Sequence, residues 1–278
     1  MNNLTISAEN ITYEITEKLL YKQSLNIYTD TSEKELIIGK DKIKVQCCGF
    51  IVTNRGQFID CRLEIWIDEP TIFGEARGIA MAYEWLVNNY TKYYYSAFPF
   101  NIFTDSSAAQ ANINNQLIHW FYDLNDADRF YVINSYYKYP WKEWKDITYN
   151  VAKDILKTRI PVRIFWVAGH VPIYKQSFMQ SDYDKFKSKF NEINSKYHGD
   201  LTNDIEDDNI VYEMATFNNM IDLYTRNFLI RNINTIHQQV QDNYDMIKKS
   251  LNSVSWPFYI PNNNDTDYSK MILSLVQK

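Results

Sequence analysis

Two aspartates of this chain stand in nearly identical heptapeptides. Residues 26–32 read NIYTDTS, and residues 101–107 read NIFTDSS. In both segments the acid follows alternating β-branched and aromatic residues, which predicts one strand ending at Asp30 and another ending at Asp105. If the strands are neighbours, the two carboxylates converge, and they need a cation between them or a proton on one of them. One interpretation is a metal site. The other is that each aspartate caps the turn after its strand.

Two further acids and a histidine are candidates for the same site. Glu75 lies three residues after Ile72 and four before Ile79, so it shares the apolar face of a predicted helix, where a charge needs a partner unless it reaches water at the rim. His170 follows an apolar strand, and Asp182 opens a later helix. Four carboxylates can hold two divalent cations about 3.5–4 Å apart, which is an arrangement that hydrolyses phosphodiesters. A nearby histidine can move protons or assist product release.

Strands and helices alternate along the chain around these residues. The pattern predicts strands at residues 25–29, 44–53, 57–67, 99–104 and 161–167 and helices at residues 70–89, from about residue 108, and from about residue 182. The tripeptide Asn54-Arg55-Gly56 predicts a hairpin between the second and third strands. We therefore expect an α/β fold with a mixed five-stranded sheet and helices on both faces.

An aromatic and basic segment lies between the fourth and fifth strands. Residues 136–146 read YYKYPWKEWKD. Rings could stack on sugars or bases while ammonium groups pair with phosphates, although a helix that packs its tryptophans into the core gives the same pattern. The candidate substrate-binding residues are Lys138, Trp141, Lys142, Trp144 and Lys145.

Composition narrows the classes of protein. The net charge of -5 argues against a general nucleic-acid coating protein, but leaves room for a local basic patch. The three cysteines have no zinc-type spacing and form no disulfide framework. With neither a basic, apolar leader nor a long apolar segment, we expect a cytoplasmic protein that does not span a membrane.

The ordered set of acids resembles the ribonuclease H family over residues 26–182. The matching motifs are Asp30 at the first strand, Glu75 within GEARGIAMAYEWL, Asp105 within FTDSS, and the WVAGH segment that ends at His170, followed by Asp182. The resemblance implies a ribonuclease H-like fold, with Asp30, Glu75, Asp105 and Asp182 as Mg²⁺ ligands and His170 as the loop histidine. Mn²⁺ is expected to substitute for Mg²⁺. The segment from residue 136 to 146 would occupy the place of a substrate handle.

The same resemblance implies an endonuclease that hydrolyses the RNA strand of RNA–DNA hybrids by a two-metal-ion mechanism. Spacing alone supports only phosphoryl transfer. A nuclease of this fold that acts on other RNA or DNA is the alternative enzyme, and a non-catalytic nucleic-acid-binding module is the alternative from another class. Unused clustered carboxylates would repel one another, which argues against the non-catalytic module.

The sequence departs from the family pattern at two points. Thr31 stands where a glycine commonly follows the first aspartate. The loop after His170 is long, so Asp182 and Asp184 compete for the role of fourth ligand. Proofreading-type exonucleases carry an Asp-x-Glu on the first strand, and integrase-like enzymes lack the helix glutamate, so both related groups fit less well.

The last third of the chain predicts two amphipathic helices. One stripe runs from Phe217 to Phe228 and the other from Val240 to Val254, with Pro257 after it. These helices could pack on each other, on the preceding domain, or on a protein partner. We expect an N-terminal segment at residues 1–22, a ribonuclease H-like domain at residues 23–197, and a helical extension at residues 198–278.

Overall fold

The fold is built around one mixed β-sheet. The computed structural model describes residues 21–67, 71–93, 100–121, 142–160, 162–171, 178–205, 207–245 and 256–258. Its strands are β1 (Leu25–Ile38), β2 (Asp41–Asn54), β3 (Gln57–Ile67), β4 (Phe100–Thr104), β5 (Val162–Trp166) and β6 (Trp256–Phe258). The sheet order is β5-β4-β1-β2-β3-β6, with β1, β4 and β5 mutually parallel and the β1–β2, β2–β3 and β3–β6 pairs antiparallel.

Within the described residues, five helices cover the two faces of this sheet. They are α1 (Thr71–Tyr93), α2 (Ser107–Phe121), α3 (Lys142–Thr158), α4 (Gln180–His198) and α5 (Asp208–Asp242). Residues of α1, α2 and α3 such as Ile79, Ile113 and Ile155 share a buried core with the sheet residues Ile27 and Ile102. The predicted α/β architecture with helices on both faces is confirmed, and it is consistent with the ribonuclease H-like fold that the motifs resemble.

Helices α4 and α5 cover the opposite face. Phe190 of α4 and Phe217 of α5 are buried in one cluster with Tyr28, Phe103 and Phe165 of the sheet. Further along α5, a second cluster joins its apolar residues to the β1–β2–β3 part of the sheet: Phe228, Leu229, Ile236 and Val240 against Leu36, Ile43, Val45 and Ile65. The apolar stripe of α5 thus packs on the sheet along the length of the helix.

The first strand is longer than predicted. Asp30 does not end β1, because β1 continues to Ile38 and pairs with β2 through the turn at Gly39 and Lys40. Gly39 adopts a positive φ of 63°, which suits glycine in such a turn. The parallel pairing with β4, however, ends at Thr29. Asp30 therefore stands one residue beyond the last β1–β4 pair, although it lies in mid-strand.

The C-terminal part contains one strand that was not predicted. The first predicted helix of this part lies within the 35-residue α5. Trp256, Pro257 and Phe258 form the short strand β6 on the edge of the sheet beside β3, a position where proline is tolerated. The sheet therefore has the five predicted strands and a sixth, three-residue strand.

No helix in the described ranges has the length and apolar character needed to cross a lipid bilayer. The predicted protein partner of the C-terminal helices and the division of the chain at residues 22/23 and 197/198 stay predictions. Residues 1–20 lie outside the described part, as does most of the second predicted C-terminal stripe.

Candidate metal centre

Three of the predicted acids meet at one place. Asp30 follows the last β1–β4 pair, and Asp105 follows Thr104, the last residue of β4. Because β1 and β4 are parallel neighbours, both acids emerge at the same end of the strand pair. Glu75 reaches them from α1, and the three residues offer carboxylate oxygens that all lie within 4.8 Å of one another. The structure thus brings together side chains from the middle of β1, the residue after β4 and the helix α1.

Glycine at the start of α1 allows Glu75 to come so close. A Cβ atom at Gly74 would lie 2.3 Å from Cγ2 of Thr31 and 2.9 Å from Oε1 of Gln46, so only glycine lets the helix backbone approach β1 here. One turn later, a Cβ at Gly78 would lie 3.4 Å from Cβ of Thr29. The bulk of Thr31 is therefore matched by the missing side chain at position 74.

Asp105 is held by the segment that follows β5. The indole N–H of Trp166 donates to the Asp105 carbonyl over 3.0 Å, and the backbone N–H of Val167 donates to the Thr104 carbonyl over 2.9 Å. Gly169 packs against the carboxylate, where a Cβ would lie 2.2 Å from Asp105 Oδ2. Asn194 of α4 in turn holds the backbone of Trp166. Its Oδ1 accepts from the backbone N–H of Trp166 at 2.7 Å, and its Nδ2 donates to the backbone carbonyl of Trp166 at 2.8 Å.

Burial and mutual repulsion make this cluster unfavourable without a cation. The pKa of Asp30 is raised well above its ordinary value by burial and then by the charge of Asp105. Burial, followed by the charges of Asp30 and Asp105, likewise raises the pKa of Glu75 well above its ordinary value. The pKa of Asp105 is raised by burial as well. Each shift reports a carboxylate that has lost water without gaining enough positive charge.

Few donors compensate the three acids. The backbone N–H of Thr31 donates to Asp30 Oδ1 over 2.7 Å, and it also favours the charged form of Glu75. Within the described residues, Oε2 of Glu75 is buried and has no hydrogen-bond partner. A buried acceptor left in this state costs free energy.

A fourth acid that the sequence reasoning missed faces the cluster from α5. Asp222 is largely buried, and its charge contributes to the raised pKa of each of the three acids. Its carboxylate forms an ion pair with Arg226 at 2.7 Å and lies 3.6 Å from Nδ1 of His170. The available signal was the same as for Glu75, since Asp222 is an acid next to the buried Ile221 in an amphipathic stripe.

His170 lies at the rim of the same site. Its backbone has a positive φ of 55°, and its side chain is 72% exposed. Besides its contact with Asp222, its position lowers the pKa of Asp105, against the stronger opposing effect of burial. An exposed imidazole beside buried carboxylates can exchange protons with solvent.

Asp182 lies apart from the three-acid group. It occupies the first turn of α4, where its Oδ2 accepts a hydrogen bond of 2.9 Å from the backbone N–H of Met179. The exposed Asp184 accepts from the amide of Gln180 over 3.2 Å. Among the described residues, neither acid belongs to the group of converging carboxylates. The local reason is that a carboxylate near a helix N-terminus satisfies unpaired backbone N–H groups.

The predicted substrate handle lies partly outside the described residues. Lys138 and Trp141 lie outside the described residues, and Lys142, Trp144 and Lys145 are described only as part of the helix α3. Their substrate-binding role stays a prediction.

The residues at the site fit a hard divalent cation. Carboxylate oxygens are the ligands that Mg²⁺ and Mn²⁺ prefer, and the buried Glu75 Oε2 lacks the partner that a cation would supply. A bound cation would also offset the repulsion that raises the pKa values of Asp30 and Glu75. The three-acid group is therefore a candidate metal centre.

Comparison with known proteins adds little to this geometry. No family model and no curated protein sequence matches the chain. Among solved structures the chain is similar to LC9-RNase H1, described as a type 1 RNase H with the type 2 active-site motif. The two chains are 13% identical, the match covers 63% of this chain and 74% of that chain, and the TM-score is 0.27. This similarity is low. The fold class is therefore assigned from the sheet and its helices, and the candidate site is assigned from the positions of its side chains.

Proposed function

We propose that the chain is a metal-dependent endonuclease that hydrolyses the RNA strand of RNA–DNA hybrids by a two-metal-ion mechanism in the cytoplasm. The observation that carries the proposal is the convergence of Asp30, Glu75 and Asp105 within 4.8 Å. The resemblance of their surrounding motifs to the ribonuclease H family supports the choice of RNA–DNA hybrid as substrate.

The residues of the site have distinct parts in this proposal. Asp30 and Asp105 would bind the cations from two neighbouring strands, and Glu75 would complete the set from α1. Bound divalent cations would supply an activated water and stabilise the leaving oxygen. His170 would carry protons between the site and solvent from its exposed position.

Two acids, Asp182 and Asp222, compete for the role of fourth carboxylate at the site. The family resemblance favours Asp182, whereas Asp222 is favoured by its 3.6 Å approach to His170 and by its charge, which raises the pKa of all three acids. We propose Asp222 as the fourth carboxylate at the site and keep Asp182 as the competing assignment.

A cleavage assay tests the activity and the substrate together. Labelled RNA–DNA hybrid, duplex RNA, duplex DNA and single strands are incubated with and without Mg²⁺. We expect Mg²⁺-dependent cleavage of the hybrid, which Asp105→Asn abolishes. Asp154→Asn, the same change on the exposed surface of α3, is the matched control and should remain active. Cleavage of DNA alone would favour the alternative nuclease, and no cleavage of any substrate would favour a binding module.

A second assay tests the predicted substrate handle. Replacing Lys138, Lys142 and Lys145 by glutamine should weaken hybrid binding and reduce its salt dependence by about one slope unit for each lost phosphate contact. The matched control replaces Lys185, Lys187 and Lys196 of α4. An unchanged slope in the first variant would assign residues 136–146 to core packing instead.

A further inference from the structure

The carboxylate of Asp222 is engaged by a cation of its own helix. Nη2 of Arg226 donates to Oδ1 at 2.8 Å and to Oδ2 at 2.7 Å. The two residues are four positions apart on α5, so the helix holds them in register. Asp222 is close enough to raise the pKa of all three clustered acids, yet it is not part of the group whose oxygens lie within 4.8 Å.

The charges around the site are strongly unbalanced. Four carboxylates face it, namely Asp30, Glu75, Asp105 and Asp222. Among the described basic side chains, Arg226 lowers the pKa of Asp30, and His170 lowers the pKa of Asp105. A guanidinium is a permanent positive charge. Arg226 therefore carries a permanent positive charge where a divalent cation would also be attracted.

We propose that Arg226 is a built-in counter-cation of the candidate metal centre, which holds Asp222 back from the three-acid group and competes with the divalent cation. This inference rests on the proposed metal site. Without metal, Arg226 offsets part of the repulsion among the four carboxylates. When a divalent cation binds, the positive charge of Arg226 opposes it, and Asp222 must weaken its contact with Arg226 to reach the metal.

Metal binding measured by calorimetry tests the proposal without relying on activity. Mn²⁺ and Mg²⁺ are titrated into the full-length protein and into Arg226→Gln. We expect the dissociation constant to fall about fivefold or more in the variant, because a unit positive charge that repels the divalent cation has been removed. The metal-free variant should also melt at a lower temperature than the wild type. Arg226→Lys keeps the charge and should bind the cations almost as the wild type does.

Controls separate this effect from a general loss of charge. Arg231→Gln makes the same charge change at an exposed position on α5 and should leave the dissociation constant nearly unchanged. Because Arg226 acts partly through Asp222, the gain from Arg226→Gln should be smaller in an Asp222→Asn background. If Arg226→Gln folds poorly, Arg226→Met, which keeps the apolar stem, serves as the second variant.

The outcomes distinguish this inference from the proposed function. Unchanged or weaker metal binding in Arg226→Gln and Arg226→Met, with normal binding by the wild type, would overturn the inference and leave the metal centre standing. If the wild type binds neither cation, both the metal centre and the role of Arg226 are rejected.

Discussion

At the scale of single residues, the negative charges of the three carboxylates at the candidate site destabilise the metal-free folded protein. Asp30, Glu75 and Asp105 are held together by strands and a helix that are buried elsewhere by apolar packing. Their raised pKa values mean that the metal-free folded state binds protons more tightly at these positions than the unfolded chain does.

The first prediction concerns the pH dependence of this penalty. The pKa of Asp30 is higher in the folded protein than in the unfolded chain, where it is about 4. Below about pH 4 the acid is protonated in both states and costs no stability, and the cost grows as the pH rises from there towards the pKa of the folded state. Asp30→Asn should therefore gain melting temperature over the wild type as the pH rises above about 4 in metal-free buffer, by about 2–4 °C for each kcal/mol relieved. Thermal melts with a chelator check this. A difference that stays constant with pH would contradict it.

The second prediction concerns Trp166, whose indole N–H donates to the backbone of Asp105. Trp166→Phe keeps an aromatic ring and removes this bond, which should cost about 0.5–1.5 kcal/mol of stability and weaken Mn²⁺ binding, because Asp105 loses a support. Trp85→Phe is the matched control, since its indole N–H donates to Asp60 Oδ2 over 2.7 Å at another part of the fold. Calorimetry should show weaker Mn²⁺ binding only in Trp166→Phe, and equal binding by the two variants would refute the role of Trp166.

At the scale of elements, the question is which helix supplies the fourth acid. Helix α4 uses Asp182 at its own N-terminus, whereas α5 crosses the sheet face beside β1 and brings Asp222 next to His170. A helix N-terminus fixes the capping acid locally, but only packing between α5 and the sheet fixes Asp222.

The third prediction separates these two helices. Asp222→Asn should reduce Mg²⁺-dependent cleavage by at least about tenfold and weaken Mn²⁺ binding, since a metal-facing carboxylate becomes a neutral amide. Asp182→Asn should lose about 0.5–1 kcal/mol of stability through the weaker helix terminus and retain most cleavage. If Asp182→Asn loses most metal binding while Asp222→Asn binds the metal almost as the wild type does, Asp182 is the fourth ligand instead.

At the scale of the whole molecule, α5 joins the site to the core. The apolar side chains of this helix cover Tyr28, Ile51 and Phe103 on the sheet, and further along they cover Ile43 and Val45. The same helix carries the Asp222–Arg226 ion pair. The stability of the sheet and the composition of the candidate site therefore depend on one element.

The fourth prediction tests this dependence and the predicted domain boundary at residue 197. A chain that ends at residue 205 would expose the sheet face that α5 covers. Since each large core side chain is worth about 2–5 kcal/mol and a domain has only about 5–15 kcal/mol of net stability, we expect this fragment to show no cooperative unfolding transition. Calorimetry and circular dichroism of the fragment and the full chain check this. A cooperatively folded fragment would support the domain boundary predicted from the sequence.

The local parts of the candidate site could be predicted from the sequence. The strand patterns before Asp30 and Asp105 and the helical spacing of Glu75 predicted three acids in the right elements, because polarity alternation and helical periodicity depend on neighbouring residues. The two-residue hairpin turn after Asn54 was predicted for the same reason, and Arg55 and Gly56 both adopt positive φ.

Which distant side chains join these acids depends on long-range packing, which the sequence patterns do not predict. Asp30 marks the end of the β1–β4 pairing rather than the end of β1, because strand length depends on the partner β2. Asp222 faces the site because the apolar stripe of α5 packs on the sheet, whereas Asp182 is held at the start of α4. Amphipathic spacing shows which face of a helix is buried, but the surface that receives it depends on long-range packing, and that packing brings Asp222 and Arg226 to the candidate metal centre.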